Sequence, residues 1–322
     1  MRNNCPNDGC AAPKGLCLKS STHEHLKCET WLEKNASIQI GETKKTTDKL
    51  NYLPWTGEAL QPEDISIISE RAAPLIVGMV GTADAGKTSF LGMIYTLLFN
   101  GGRIKNWGFS GSTTLAAWET LAQYLKITSD GSVNFPAPTS SHPEFYSLYH
   151  LALKNGNTFR DILFSDSSGE VFSDWSEDVN DDNSANARWI YKSSSAFIFM
   201  VDSAALIEKR GRAVSEIVQM AGQLAANLNG RPVVIVWTKS DMESEIKPTI
   251  KASIEEYLSE LFPKSTSIKV SNFPKSGQEQ ICHINNLLVI ENVLLALNRP
   301  IGAKFEIPIS SAGDYFLDYK GR

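Results

Sequence analysis

The segment from Gly81 to Thr88 constrains the fold of this chain more than any other feature of its sequence. It reads Gly-Thr-Ala-Asp-Ala-Gly-Lys-Thr and matches the pattern G-x-x-x-x-G-K-[ST]. An apolar, strand-sized run from Leu75 to Val80 precedes it, and a helix-like stretch from Ser89 to Leu98 follows it. A chance match in a glycine-containing turn is the alternative, but strand, loop and helix in this order are the context in which the motif binds phosphate. The sequence therefore predicts a strand–loop–helix unit built around a phosphorylated ligand.

The residue types of this loop suit the β- and γ-phosphates of a nucleotide, which carry several negative charges. Glycines let the backbone curve into a nest whose N–H groups point inward, and the helix N-terminus adds its positive dipole end. We expect Lys87 to reach the phosphate oxygens and the hydroxyl of Thr88 to ligate Mg²⁺. The residues predicted to bind the nucleotide here are Gly81, Ala83, Asp84, Ala85, Gly86, Lys87, Thr88 and Ser89.

Downstream of Pro74, short apolar runs alternate with longer amphipathic stretches. The strand-sized runs lie at 162–164, 196–201, 233–237 and 268–270, and the helix-like stretches at 204–228, 250–261 and 284–297. This alternation is typical of βαβ units around a mostly parallel sheet. We therefore predict an α/β fold of the P-loop NTPase type, with three layers, a mostly parallel sheet and a small Cys-rich module in front of it.

The segment Thr238-Lys239-Ser240-Asp241 stands at the end of the apolar run from Val233 to Trp237. Here the chain resembles the translation-factor-like (TRAFAC) class of P-loop GTPases, whose base-recognition motif is [NT]-K-x-D. A carboxylate accepts hydrogen bonds from both N1 and the exocyclic amine of guanine, whereas adenine offers no such donor pair. The resemblance implies that Asp241 reads guanine, that the stem of Lys239 covers the ring, and that Thr238 replaces the commoner Asn. A surface turn that caps a helix is the alternative.

The loop that supports the base from its other side should follow the run 267–270. Ser271 and Asn272 stand there, and their backbone N–H groups would approach O6 of guanine. An ordinary strand end is the alternative for this pair.

A further element of the same class, D-x-x-G, matches Asp166-Ser167-Ser168-Gly169 after the strand-like run 161–165. By this resemblance Asp166 holds Mg²⁺ through a water molecule, and the backbone N–H of Gly169 meets the γ-phosphate. Loss of that phosphate releases the loop behind it, which is how such proteins switch. The alternative is that Asp166 merely caps a loop.

Glu170 occupies the position where many small GTPases carry the glutamine that orients the attacking water. A carboxylate can act as a base there, but it also repels the γ-phosphate. We therefore expect slow intrinsic hydrolysis that depends on a partner supplying positive charge. Lys87 and Glu170 are the predicted catalytic residues.

A switch threonine should lie just before the second strand, which we place near 145–154. Thr139 fits that location and would ligate Mg²⁺ while sensing the γ-phosphate. Thr113 and Thr114 are alternatives, although they resemble the capped start of a helix that runs through Leu125.

The TRAFAC-like motifs span residues 74–299, which is more than a typical domain of about 150 residues needs. The surplus lies at 100–138 and in the acidic stretch 173–187, and we expect both to be enlarged switch regions on the nucleotide side. A Cys-rich head (1–35) and a linker (36–73) precede this domain, and we expect the tail (300–322) to pack on it. The combination of the Cys-rich head, the enlarged switch regions and a tail ending Tyr315-Phe316-Leu317-Asp318-Tyr319-Lys320-Gly321-Arg322 resembles the bacterial double-GTPase families. That resemblance implies a protein partner, either a second GTPase or an effector.

Four of the five cysteines, Cys5, Cys10, Cys17 and Cys28, fall in the first 28 residues. Tetrahedral Zn²⁺ takes four such ligands, and so short a segment has too few apolar residues to fold without help. We predict a structural, zinc-ribbon-like site, with His23 and His25 as alternative ligands. Because no pair has C-x₂-C spacing, free cysteines are the other interpretation.

The charge balance of 31 Lys and Arg against 36 Asp and Glu gives a net charge of −5 and argues against a general nucleic-acid or anionic-membrane binder. No run of 18 apolar residues and no signal peptide is visible, so we expect a cytoplasmic protein without a membrane span. These features predict a regulatory GTPase that uses Mg²⁺. The alternatives are a non-hydrolysing GTP-binding adaptor, which Glu170 favours, and an ATPase, against which Asp241 argues.

Overall fold

The computed structural model describes Cys10 and residues 28–31, 57–69, 72–129, 132–135, 137–226, 228–273 and 280–297. The chain divides into two units, Met1–Leu53 and Pro54–Arg322. In the first unit Trp31 packs against Cys10 and Cys28. Cys5, Cys17, His23, His25 and the tail 300–322 lie outside the described residues, and those that are described contain no cluster of three or more His, Cys, Asp or Glu side chains. The zinc site and the packing of the tail therefore stay predictions.

The second unit is built from strands and helices that alternate along the chain. Its strands are β1 (Leu75–Val80), β2 (Gly108–Gly111), β3 (Leu148–Asn155), β4 (Thr158–Ser165), β5 (Ala196–Asp202), β6 (Val233–Thr238) and β7 (Thr266–Lys269). Its helices are α1 (Ile65–Ile68), α2 (Lys87–Phe99), α3 (Leu115–Tyr124), α4 (Gly169–Glu177), α5 (Ala185–Ser193), α6 (Ser203–Glu208), α7 (Gly211–Ala226), α8 (Pro248–Leu261) and α9 (Asn285–Leu297). Short 3₁₀ turns lie at Pro62–Asp64, Asp182–Ser184 and Ser240–Glu245, and a π-helical turn at Gln280–Ile284.

The seven strands form one mixed, mostly parallel sheet in the order β2-β3-β4-β1-β5-β6-β7. Strands β4, β1, β5, β6 and β7 run parallel, whereas β2, β3 and β4 pair antiparallel. Every residue of β5 and β6 is buried, as expected for central strands covered on both faces. The predicted α/β fold with a mostly parallel sheet is confirmed, and the antiparallel edge formed by β2 and β3 is an addition to it.

Two apolar clusters place helices on both faces of the sheet. On one face Val77 and Met79 of β1 share a cluster with α2, α3 and α9, to which Phe90, Trp118 and Val293 belong. On the other face Phe197 and Phe199 of β5 share a cluster with α4 to α8. Helix, sheet and helix therefore form three layers, and the loops at the carboxyl ends of the parallel strands all emerge on one side.

The segment that precedes β1 packs along the antiparallel edge. Leu60 forms an isolated bridge with Leu148 at the start of β3, and both belong to a small apolar cluster with Ile68, Ile76 and Leu163. The described part of the sheet therefore has β2 and Leu60 side by side along β3, and β2 itself shifts register between Phe109 and Gly111.

Two stretches differ in secondary structure from what the sequence suggested. The acidic stretch 173–187, expected to be an enlarged switch region, is largely helical: α4, a 3₁₀ turn and α5 cover most of it, because Phe172, Trp175 and Ile190 are buried against the sheet. The helix expected at 204–228 breaks into α6 and α7, with Arg210 in a left-handed conformation (φ 49°) between them.

One helical stretch among the described residues, Gln280–Leu297, is long and apolar enough to cross a membrane by length and composition alone, with a mean hydropathy of 1.4. Counting uninterrupted apolar residues did not find it, because asparagines and a glutamate interrupt the stretch. Val289, Ile290, Val293 and Leu294 from this stretch belong to the core that covers one face of the sheet.

Candidate functional site

A cavity of about 620 Å³ lies on the side where the parallel strands end. This volume is in the range of small-ligand pockets. The predicted residues that line it are Ala83, Asp84, Ala85, Gly86, Lys87, Thr88, Ser89, Thr139, Gly169, Glu170, Thr238, Lys239, Asp241, Ser271 and Asn272. The structure thus brings residues from five separate segments to one cavity, with Lys87 and Asp241 both on its wall.

The loop between β1 and α2 is wound around the side chain of Lys87. The Lys87 ammonium is buried and donates hydrogen bonds of 2.9 Å to the carbonyl oxygens of Gly81 and Thr82. Gly86 takes a left-handed conformation (φ 85°) immediately before α2, which an L side chain rarely adopts. The ammonium and the start of α2 therefore face the same curved backbone, as an anion-binding loop requires.

Three oxygen-bearing side chains from separate parts of the chain meet at the start of α2. The Thr88 hydroxyl donates to both carboxylate oxygens of Asp166, at 3.1 and 3.0 Å, and its oxygen lies 3.4 Å from that of Thr139. Hydroxyl and carboxylate oxygens are the ligands that Mg²⁺ prefers, so this donor set fits a magnesium ion. Thr139, which was predicted to be the switch threonine from its position before the second strand, lies beside Thr88 and Asp166.

The rival threonines are engaged elsewhere. The backbone N–H of Thr113 donates to Nδ1 of His150 at 2.9 Å, and the Thr114 hydroxyl accepts from the backbone N–H of His150. Both belong to a buried polar network between β3 and the start of α3, where His150 Nε2 lies 3.2 Å from Asp161. Neither lines the cavity.

Gly169 is pressed against the phosphate loop. A Cβ atom at this position would lie 2.0 Å from the backbone nitrogen of Ala83, so only glycine allows the approach. Ser168 caps α4 by accepting a hydrogen bond from the backbone N–H of Glu170, whose exposed side chain stands at the cavity wall. The D-x-x-G segment therefore joins the loop after β4 to the loop after β1.

The opposite end of the cavity is formed by the loops after β6 and β7. The Ser271 hydroxyl donates to one carboxylate oxygen of Asp241 at 2.6 Å, so the two predicted base-binding segments contact each other. Lys239 has a left-handed backbone (φ 50°), and its ammonium pairs with the buried Asp202 at 2.8 Å. Thr238 is buried and donates to the Val201 carbonyl oxygen.

The sequence model of the Double-GTPase 2 family matches residues 75–291, more than half of the 322-residue chain. The chain belongs to the Double-GTPase 2 family. It contains a GTPase domain, which implies GTP binding and Mg²⁺, and membership in this family indicates GTP hydrolysis.

Two solved structures are similar to this Double-GTPase 2 protein at low identity. One is described as nucleolar GTP-binding protein 1 from Plasmodium falciparum, with 11% identity, a TM-score of 0.41, and coverage of 70% of this chain and 86% of that one. The other is Roco2 RocCORdC from Methanosarcina barkeri bound to GDP, with 16% identity, a TM-score of 0.34, and coverage of 69% and 48%. No match is found among curated proteins.

Burial shifts the pKa of both charged groups at the phosphate end of this Double-GTPase 2 domain. It lowers the pKa of Lys87 to about 8, against the opposing effect of the carboxylates of Asp166, Asp84 and Asp202. It raises the pKa of Asp166 to about 6, although the Lys87 ammonium and two hydroxyl donors lower it. Both charged forms are thus destabilised in the ligand-free protein, and anions or cations bound beside them would relieve that cost.

We predict that Asp166→Asn stabilises the ligand-free protein at about pH 8. A folded-state pKa above the unfolded value means that the folded protein holds this proton more tightly, so wild-type stability falls as the pH rises from about 4 to about 6. Asparagine removes the buried charge, and thermal unfolding should shift upward by several degrees at about pH 8 but hardly at about pH 4.5. Asp182→Asn, at an exposed carboxylate, is the matched control. A variant that is less stable than wild type at the higher pH would contradict the prediction.

Several residues of the site were not found by sequence reasoning. Asp202, which pairs with Lys239 behind the cavity wall, ends the apolar run 196–201 as Asp166 ends 161–165, so its position at a strand end could have identified it. The other cavity residues were given no role: Ser167 and Ser168 lie inside the D-x-x-G match and Val270 ends the run 268–270. No motif marked the remaining loop residues, which are Phe135, Ala137, Pro138, Met242 and Phe273.

Proposed function

We propose that this chain is a regulatory GTPase that binds Mg²⁺-GTP, hydrolyses it slowly to GDP and phosphate, and changes its interaction with a partner protein between the two states. The observation that carries the proposal is the meeting of Thr88, in the first turn of α2, with Thr139 and Asp166 from two separate loops. A γ-phosphate and a metal ion at this point would hold the loops before β3 and after β4 together. Hydrolysis would release them, which is a common way for a nucleotide to control a surface.

In this proposal, different side chains bind the phosphate end and the base end of the nucleotide. The Lys87 ammonium and the backbone N–H groups of the phosphate loop bind the β- and γ-phosphates, and the Asp241 carboxylate accepts hydrogen bonds from guanine. Thr88, Asp166 and Thr139 would hold Mg²⁺, which when bound neutralises charge on the phosphate oxygens. Lys239, held by Asp202, covers the base.

Glu170 is the proposed base of the hydrolytic step. Its carboxylate accepts a proton from the water that attacks the γ-phosphorus, while the bond to the β–γ bridging oxygen breaks and GDP leaves. The same negative charge opposes the approach of water to an anionic phosphate, so the step is slow. A partner that brings a positive charge to the cavity would offset this repulsion.

We predict that Glu170→Gln raises the single-turnover rate of phosphate release about tenfold, which corresponds to roughly 1.4 kcal/mol. The carboxamide can still orient water and no longer repels the γ-phosphate, and we expect this relief to outweigh the loss of the carboxylate as proton acceptor. Glu177→Gln, in the last turn of the same helix, is the matched control and should leave the rate unchanged. A slower Glu170→Gln enzyme would mean that proton transfer to the carboxylate outweighs the repulsion.

Single-turnover phosphate release from the Mg²⁺-GTP complex of the full chain tests the proposed function. We expect complete conversion to GDP at a rate well below about 1 s⁻¹, the order of magnitude of the accelerated state. A rate at or above that value would contradict the need for an activating partner. Bound GTP that stays intact would favour the second candidate, a non-hydrolysing GTP-binding adaptor, to which the carboxylate at position 170 also points.

A further inference from the structure

Two phenylalanine rings meet at the cavity from opposite sides. Phe135, in the loop before β3, is 60% exposed, and Phe273 lies in the loop after β7. Their ring centroids are 5.6 Å apart and the ring planes are perpendicular, which is a favoured edge-to-face arrangement. Both residues line the cavity. An aromatic side chain this exposed on a cavity wall is placed to contact whatever fills the cavity.

The two rings connect the loops that serve the two ends of the cavity. The loop of Phe135 continues through Pro138 to Thr139, whose hydroxyl lies beside Thr88 at the phosphate end. The loop of Phe273 begins with Ser271, whose hydroxyl holds Asp241 at the base end. The aromatic pair is therefore a direct contact between the loop that carries Thr139, at the phosphate end of the cavity, and the loop that carries Ser271, at the base end.

Aromatic rings on the wall of a cavity can stack against the base of a nucleotide. An edge-to-face pair contributes about 0.5–1.5 kcal/mol beyond its buried area, and stacking of a base on an aromatic side chain about 1–3 kcal/mol. A purine held by Asp241 would lie against a wall that includes Phe273, and its ribose and phosphates would extend toward the Thr139 loop. The exposed surface of Phe135 would lose its contact with water once this space is filled.

We propose that Phe135 and Phe273 form an aromatic clasp that closes over the bound nucleotide and has to open before the nucleotide can leave. This inference rests on the proposed binding of a guanine nucleotide in the cavity. The clasp limits the rate of dissociation more than the rate of association, because it closes only after binding. A γ-phosphate that holds Thr139 also holds the loop of Phe135, so the clasp retains a GTP analogue longer than GDP.

Dissociation of radiolabelled GDP and of a non-hydrolysable GTP analogue, chased with unlabelled nucleotide, tests the clasp in the full chain. We expect Phe135→Ala and Phe273→Ala each to speed GDP dissociation about tenfold. The double variant should be little faster than either single variant, since each change already opens the pair. The longer retention of the GTP analogue should shrink in Phe135→Ala, which a purely structural role of the ring does not explain.

Matched variants separate the clasp from general damage. Phe99→Ala removes an equally exposed phenylalanine at the end of α2, 63% exposed, and should leave both dissociation rates unchanged. Phe135→Tyr keeps the ring and should behave as wild type, even if an alanine variant folds poorly. Unchanged dissociation in Phe135→Ala, or fully additive effects in the double variant, would overturn the clasp while leaving the proposed function intact. A wild-type protein that binds no guanine nucleotide would overturn both.

Discussion

Replacing Lys87 with alanine is expected to weaken the binding of GTP and GDP about 100-fold or more. The ammonium is buried against the phosphate loop and donates hydrogen bonds to the carbonyl oxygens of Gly81 and Thr82. It also faces the space that the phosphates would occupy. Loss of one partner from a buried charged pair typically costs about 2–5 kcal/mol in binding. Equilibrium titration by calorimetry, with the GDP and GTP forms measured separately, checks the prediction.

The fold itself should survive this substitution. Burial holds the pKa of Lys87 at about 8, so the protonated ammonium is unfavourable in the ligand-free protein. The folded wild type binds fewer protons than the unfolded chain between about pH 8 and pH 10.5, and its stability should rise with pH across that window; the alanine variant should lose this rise. Lys105→Ala, at a half-exposed lysine paired with Glu291, is the matched control for binding. Affinity within tenfold of wild type in Lys87→Ala would contradict the assignment.

Asp241→Asn is expected to exchange one base specificity for another. The carboxylate accepts from both donors of guanine, whereas a carboxamide offers one acceptor and one donor. Guanine then leaves its exocyclic amine facing an N–H group, and we expect GTP affinity to fall about 100-fold or more. Xanthine carries a carbonyl in place of that amine, so xanthosine triphosphate should bind the variant better than it binds the wild type.

Competition among GTP, ATP and xanthosine triphosphate for the same site measures this exchange. Glu245→Gln changes an exposed carboxylate in the same 3₁₀ turn and should keep the guanine preference of the wild type. An Asp241→Asn protein whose preference for GTP over ATP is unchanged would remove Asp241 from the base site. The Ser271 hydroxyl, which now holds the carboxylate, can still donate to the carboxamide oxygen, so a collapsed loop would not explain a loss of binding.

The residues at the carboxyl ends of the parallel strands were the part of the site that the sequence predicted best. Lys87, Asp166 and Asp241 each follow an apolar run, and parallel strands bring their carboxyl ends to one side, so motif and alternation together predicted that these side chains meet. Strand β2 escaped prediction because a four-residue strand with glycine at both ends carries no period-two pattern. The helices between 169 and 193 were not predicted because the many acidic residues of this stretch suggested an exposed segment and masked the apolar positions Phe172 and Trp175, which are buried.

The aromatic contact across the cavity had no sequence signal at all. Phe135 and Phe273 are separated by most of the domain, and each stands in a loop without periodicity. Their meeting depends on the course of two loops over a sheet whose strand order places β7 at the far edge from β2. Local propensity holds no information about such a path, whereas it does encode a helix or a buried strand.

The two margins of the sheet restrict how another protein can dock. Both outer strands of the described sheet are four residues long, and the one next to β3 is also interrupted by its register shift. Short, irregular margins resist the addition of a foreign strand. A partner protein that distinguishes the nucleotide states of this chain would accordingly bind the loops at the carboxyl ends of the parallel strands. Extended peptides designed to add a strand to the sheet should fail to bind.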